Sequence, residues 1–398
     1  MRRPGKPAPR LHRTGRAVLR VEPNSTMFER RLLKNLDWPL IAAALGLVLY
    51  GMAMIYSASF TNRALTGGDP LHFVKRQALW LGLGLVGAAA LAYVDYQALA
   101  RFHRVIYSAV LGGLIAVLVL GNAAGGAARW IGAGAFSIQP SEFAKLGLVI
   151  TLAALLARRE QAMRRMGTTA AGLLHVAIPA ALIALQPDLG TAIVVVALWF
   201  AMLFLAGARK LHLALAAVVM VAMFAGAWRV GIVRPYQKAR LSIFLDPSVD
   251  PLGSGYHIIQ SKIAVGSGQL WGKGYLSGTQ SQLHFIPAQH TDFVFTVVGE
   301  ELGFMGAMGL LALYVVLLWR GLWIMDHADD KLGALLAGGV VVVFALQMLV
   351  NIGMTMNVMP ITGLPLPLFS YGGSSLLMSM MGVGLLLGIG MRRQRIRF

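Results

Sequence analysis

Apolar residues in this chain come in long blocks, not in the short alternations of a soluble domain. Runs of about 20 recur from one end to the other, each long enough to cross a hydrocarbon core as a helix. The pattern predicts spanning helices at 38–58, 73–93, 103–121, 139–157, 169–187, 189–207, 211–228, 290–319, 332–356 and 368–391. The fold class expected is an all-α polytopic membrane protein with ten transmembrane helices and one long loop, 229–289, between helices seven and eight. Only "QPDLG" separates the fifth and sixth runs, which reads as a tight hairpin at the membrane edge. Gly and other small residues inside several runs permit close helix approach.

Three regions follow. Residues 1–36 form a basic, Arg- and Pro-rich tail without apolar periodicity, which reads as disordered at least to residue 26. Met27 opens "MFERRLLKNLDWPL", which reads as a natural start, so 1–26 read as an extension; no cleavable signal is evident. Residues 37–392 make the membrane domain and 393–398 a short basic tail. Within 229–289, Ile258, Ile259, Ile263 and Val265 suggest a short amphipathic helix lying on the outer surface.

Composition supports this picture: 57% of the 398 residues are hydrophobic, 13% are charged, and cysteine is absent. Mean hydropathy is +0.68. Disulfides and thiolate metal sites are thereby excluded. The net charge of +19 would suggest nucleic acid in a soluble chain. Here it reads as the Lys and Arg of cytoplasmic loops, and no basic stretch accompanies a nucleic-acid-binding signature. With the N-terminus inside, Arg101, Arg104, Arg158, Arg159, Arg164, Arg165, Arg209, Lys210, Arg320, Lys331 and the tail "MRRQRIRF" all fall inside. Both termini are then cytoplasmic and 229–289 lies outside.

Carboxylates are costly in hydrocarbon and mark candidate chemistry. Away from the N-terminal region and the inner loops they are Asp69, Glu142, Asp188, Asp246, Asp250, Asp292, Glu300 and Glu301, all on the outer side or in the membrane. Asp292 stands where the long loop enters the eighth run. It suits a general base at the membrane surface, or a helix N-terminal acid favoured by the macrodipole, which spacing alone favours. On one continuous helix Glu300 would stand roughly 12 Å further along and off its face; at least one of Glu300 and Glu301 is expected to serve packing or a buried ion pair. Glu142 and Lys145, three apart on one helix, face each other. They form a structural pair, or Lys145 or Arg129 meets an anionic substrate in an outward cavity. Asp188 fits a turn. Arg234, Lys238, Arg240, Lys262 and Lys273 lie outside, suited to headgroups or to a phosphate-bearing ligand. "PITGLPLPLFSYGGSSLL" breaks regular backbone beside a span, which is tolerated where it is buried in protein or lines a cavity. No nucleotide-binding signature or metal-ligand cluster stands out, so no cofactor is evident.

The motifs "SIQPSEFAK", "QPDLGTA", "YHIIQSKIAVGSG", "GTQSQL", "HTDFVF", "GEELGF" and "PITGLPLPLFSYGGSS", in this order, resemble the SEDS family (RodA, FtsW and SpoVE) over residues 36–392. "YHIIQSKIAVGSG", "GTQSQL" and "PLPLFSYGG" look more like RodA than FtsW. The resemblance implies a peptidoglycan glycosyltransferase serving cell elongation and rod shape. It would polymerise lipid II, a disaccharide-pentapeptide on undecaprenyl diphosphate, on the outer face of the bacterial cytoplasmic membrane. It implies a class B penicillin-binding protein as partner and maps the family's essential acid to Asp292, with Glu142 and Lys145 from the "QPSE" motif. Inverting displacement of the lipid diphosphate needs a base for the acceptor hydroxyl and cations for the leaving group. Arg129, Lys145, Arg234, Lys238, Arg240, Lys262 and Lys273 are the pool for the latter; a divalent cation could share the task. A lipid II flippase is the rival reading, since broken backbone and intramembrane charges fit a transporter too. A scaffold that only positions a synthase leaves the outward carboxylates unexplained.

Overall fold

The computed structural model describes residues 35–62, 66–124, 127–132, 137–229, 231, 235–250, 253–283 and 285–393. Residues 1–34 and 394–398 of the expected basic tails, and Arg234, lie outside the described residues.

Long helices follow the apolar runs: α1 (Trp38–Ser59), α2 (His72–Tyr93), then, after the short α3 (Tyr96–Arg101), α4 (His103–Leu120), α5 (Pro140–Ala157), α6 (Met166–Leu185), α7 (Leu189–Ala206) and α8 (Lys210–Arg229). The loop region carries α9 (Pro235–Leu245), α10 (Ser254–Ser267) and α11 (Thr279–Gln282). α12 (Val294–Glu301), α13 (Gly303–Asp326), α14 (Lys331–Thr355) and α15 (Gly373–Arg392) complete the chain. Among the described residues, 8 helices are long and apolar enough to cross a membrane; α2 and α8, also long, occupy the expected second and seventh positions. Between α4 and α5 an antiparallel hairpin pairs β1 (Asn122–Ala124) with β2 (Ala127–Trp130), an element the apolar pattern did not predict.

Local chemistry sets several boundaries. Asp37 caps α1 by accepting from the Leu40 N–H at 3.2 Å, and its carboxylate also receives Arg320 of α13 at 2.5 Å. Asp188 caps α7 by accepting from Thr191 N–H and hydroxyl, so "QPDLG" is the expected hairpin with the Asp as its cap. Helices α5 and α15 form the centre, with 78% and 83% of their apolar windows buried, whereas α4, at 11%, is peripheral. α2 and α15 approach closely through small residues: a Cβ on Gly384 would stand 2.2 Å from the Ala88 carbonyl oxygen.

The expected single span 290–319 is two helices. The chain breaks at Leu302 and Gly303, the latter at φ +62° and pressed against the backbone of Gly272. A break frees backbone groups that must be paired when buried. Here the loop segment 269–274 pairs them: Lys273 and Gly274 N–H groups donate to the Glu300 and Glu301 carbonyls, while Phe304 and Met305 N–H groups donate to Gln269 and Leu270. Spacing along one helix therefore says nothing about Asp292, which precedes α12 in a turn.

The expected amphipathic helix is α10, and it packs on the bundle. Its buried stripe is Ile258, Ser261 and Ala264, packed on α12 and α14, and Ile263 is exposed. Ser261 Oγ donates to the Thr355 carbonyl at 2.7 Å and bonds Thr296 Oγ1 at 2.9 Å, which fastens α10 to the bundle.

Candidate active site

Asp292 lies in a turn held from two sides. Its carbonyl accepts from Asn351 Nδ2 at 2.9 Å, and the same amide reaches the Leu364 carbonyl at 2.7 Å. The neighbouring backbone is bound to the irregular segment 360–372: Tyr371 N–H donates to the His290 carbonyl, and Ser370 Oγ donates to that of Thr291. That segment is buried, with Leu364, Leu366, Leu368 and Phe369 at 2% exposure or less. Its polar groups are met by Asn351, Tyr314 and Gln77, as buried irregular backbone requires. The sequence expectation for "PITGLPLPLFSYGG" thus corresponds to a rigid shelf under Asp292.

The carboxylate opens into a cavity of about 430 Å³ that Arg76, Arg129, Gln139, Tyr371, Gly373 and Ser375 also line. Burial pushes the Asp292 pKa up to about 6, against the opposing pull of Arg129 and then Arg240; Asp188 adds a smaller push in the same direction as burial. A carboxyl group so tuned is ionised at neutral pH yet basic enough to accept a proton in a reaction. Arg129 is anchored by donating to the Gln186 and Pro187 carbonyls of the α6–α7 hairpin. Arg76 has no hydrogen-bond or ion-pair partner among the described residues. The first turn of α15 forms another wall; Gly373 has no room for a side chain there, since a Cβ would meet the Trp80 ring at 2.2 Å. Such a turn presents positive partial charge and unpaired N–H groups. Ser375 in it is 5% exposed and its hydroxyl is likewise unpaired among the described residues.

Other expected site residues go elsewhere. Glu142 and Lys145 form an ion pair at 2.7 Å, and at 2% and 0% exposure the pair is buried and lines none of this cavity. Lys273 is bound by Glu300 at 2.8 Å. Lys262 is exposed on the outer side of α10 and Lys238 does not line the cavity. Arg240 acts on Asp292 through space. Glu300 and Glu301 are fasteners. Glu300 accepts from Gln280 N–H, Ser281 N–H and the Ser281 hydroxyl, and Glu301 from the Ser57 hydroxyl and Leu276 N–H. Together they bind 273–282 to α12 and α1. Arg76, Gln139 and Ser375 were missed. Arg76 did carry a signal: an Arg inside a predicted span is itself a functional-site mark. Among the described residues no group of three or more His, Asp or Glu is placed to hold a metal ion.

Fold and site together define a multi-pass α-helical membrane protein with a carboxylate and two guanidinium groups gathered in one cavity at one end of the bundle. The FTSW_RODA_SPOVE family model, described as Cell cycle protein, matches residues 37–395, and the chain belongs to this family. It is 39% identical over 374 residues to peptidoglycan glycosyltransferase MrdB of Escherichia coli (strain K12), covering 94% of this chain and 98% of the relative. Among solved structures it is similar to a chain of a complex described under "Structural coordination of polymerization and crosslinking by a peptidoglycan synthase complex". The TM-score is 0.75 at 35% identity, covering 89% of this chain and 97% of the other. It is also similar to the rod shape determining protein RodA of Thermus thermophilus, with TM-score 0.67 at 33% identity, covering 90% and 98%.

Proposed function

We propose that this chain is a peptidoglycan glycosyltransferase that polymerises lipid II, with Asp292 as general base. The observation that carries the reading is the placement of Asp292, with its pKa raised to about 6, in one cavity with Arg76 and Arg129. In the proposed step the acceptor sugar hydroxyl attacks the anomeric carbon of the donor, and its proton passes to Asp292. The bond from that carbon to the undecaprenyl diphosphate breaks on the opposite face, inverting the linkage. Arg76, Arg129 and the first turn of α15 meet the charge that develops on the diphosphate, where preorganised donors act most strongly. A divalent cation accompanying the diphosphate would share this task; the protein supplies no cluster for it among the described residues.

The Glu142–Lys145 pair, in this reading, supports the cavity floor and does not bind substrate. The proposed topology has ten crossings, with α2 and α8 among them, and both termini cytoplasmic. It puts the Asp292 end outside and the Arg-rich ends of α4 and α5 inside, as the Lys and Arg distribution requires. Single cysteines introduced as Ser267→Cys and Arg164→Cys would then react with an impermeant reagent from opposite sides; labelling of both from outside would refute the orientation. A crosslinking transpeptidase of the class B penicillin-binding type is the proposed partner.

Purified protein given lipid II in detergent tests the function. Glycan polymer formed with no membrane to cross is the expected product. A flippase or a scaffold would leave lipid II unchanged.

A further inference from the structure

We propose that the end of the bundle opposite Asp292 carries a second ligand site, a basic cavity among α4, α5 and α6 that holds the phosphate of an anionic lipid headgroup. The cavity measures about 500 Å³ and is lined by Arg104, Arg158 and Arg159 with Tyr107, Thr151 and His175. It lies at the Ala157 end of α5, whereas Gln139 at the other end faces the Asp292 cavity. Eighteen residues of helix put roughly 27 Å between the two.

Its charge is one-sided. Three guanidinium groups line it, and no Asp or Glu does. Arg104 and Arg159 have no side-chain partner among the described residues. Arg158 does have one, His103 Nε2 at 3.1 Å, but that contact leaves its charge in place. His103 Nδ1 lies 2.9 Å from the Ala100 carbonyl, which can only accept, so Nδ1 carries the proton and Nε2 is the acceptor for Arg158. His103 is therefore a neutral group that aims the cation. The interior is already paired: Tyr107 stacks on His175 at 4.1 Å and donates to its carbonyl, and His175 Nε2 bonds Thr151 Oγ1 at 2.9 Å. What remains for a ligand is a mouth of fixed positive charge.

The shared chemistry of the ligands that fit is a phosphate anion. The surroundings select a lipid as its source. α4 is the most peripheral of the apolar helices, and Val105 on it, with Leu174 and Ile178 on α6, is 65%, 65% and 45% exposed. Acyl chains can lie along these residues while the headgroup meets the arginines. Basic pockets between spanning helices are recognised settings for anionic headgroups. The leaflet rests on the orientation proposed above; the cavity and its charge do not.

The test titrates the full-length chain, in neutral detergent, with phosphatidylglycerol bearing a fluorescent acyl chain, read by anisotropy. Saturable binding is expected, displaced by unlabelled phosphatidylglycerol and not by phosphatidylcholine or pyrophosphate. Removing guanidinium groups should weaken it about fivefold each, hence about 25-fold in Arg104→Gln/Arg159→Gln. Arg104→Lys/Arg159→Lys should retain most of the affinity. Arg164→Gln/Arg165→Gln, which removes two exposed arginines outside the cavity, should leave it unchanged. Undiminished binding in Arg104→Gln/Arg159→Gln overturns the site, as does an equal loss in Arg164→Gln/Arg165→Gln. Displacement by pyrophosphate overturns the lipid assignment in favour of a free phosphate. Because lipid II polymerisation is measured separately on the same samples, a failure of either reading is distinguishable from a failure of the other.

Discussion

Replacing Asp292 by Asn should abolish most activity and raise stability at once. The variant keeps the size and the hydrogen-bonding capacity of the side chain but cannot take the acceptor's proton. A positioned base contributes about 10²–10⁴ in rate, so turnover on lipid II should fall by that factor. The stability effect comes from the same burial. The folded chain holds the Asp292 proton more tightly than the unfolded chain, with a pKa of about 6 against 3.8. As pH rises from 3.8 to about 6 the unfolded state ionises first, and the folded state loses stability across that window. The full difference, about 3 kcal/mol at 1.36 kcal/mol per pKa unit, is in place above the window. Asn does not titrate, so its stability relative to the native protein should climb through the window and level off near neutral pH. The rate of the native enzyme should climb through the same pH range, because ionised Asp292 is the active form. The assays are polymerisation by matched amounts of folded protein and thermal unfolding in detergent across the acidic range. Turnover of Asp292→Asn within about tenfold of native would falsify the base assignment. A stability difference that does not change with pH would refute burial as the cause of the shift.

Glu301→Gln should weaken the hold on 273–282 by about 1.5–3 kcal/mol, as for a buried charged acceptor, seen as faster hydrogen exchange there, with turnover per folded molecule kept. Lys145→Ala leaves the Glu142 charge buried alone and should cost about 3–5 kcal/mol in thermal unfolding. Glu142→Leu/Lys145→Met should recover most of this and keep turnover; lost turnover in a well-folded double variant would restore Lys145 to the substrate site. Arg76→Gln should lower kcat/KM for lipid II by roughly tenfold or more, the scale of one hydrogen bond to a charged group, and an unchanged value would remove Arg76 from the diphosphate.

Much of this protein is local, and what is local could be read from the chain. Apolar runs of about 20 residues can do little else than span, and α1, α5, α7, α14 and α15 follow theirs within a few residues. The Glu142–Lys145 pair needed only the three-residue spacing on a helix. "QPDLG" marked its own hairpin, and the structure adds that its Asp188 caps α7. Asp292 stood out in the sequence as an acid at the edge of a span, where a charge is expensive, and the structure gives it a cavity.

Tertiary structure decided which charges share a cavity. Arg76, Arg129, Asp292 and Ser375 come from a helix, a strand, a turn and a helix N-terminus in well-separated parts of the chain, and they meet only through the packing of those elements. The same packing drew Lys273 to Glu300, though as a loop residue it looked available to a ligand, and it buried the local Glu142–Lys145 pair. It also split the eighth run at Gly303, a break that is stable only because segment 269–274 folds back to pair the freed backbone. A periodic pattern records which face of a helix avoids water. It does not record which neighbour covers that face, because the covering contacts depend on residues that no local window contains.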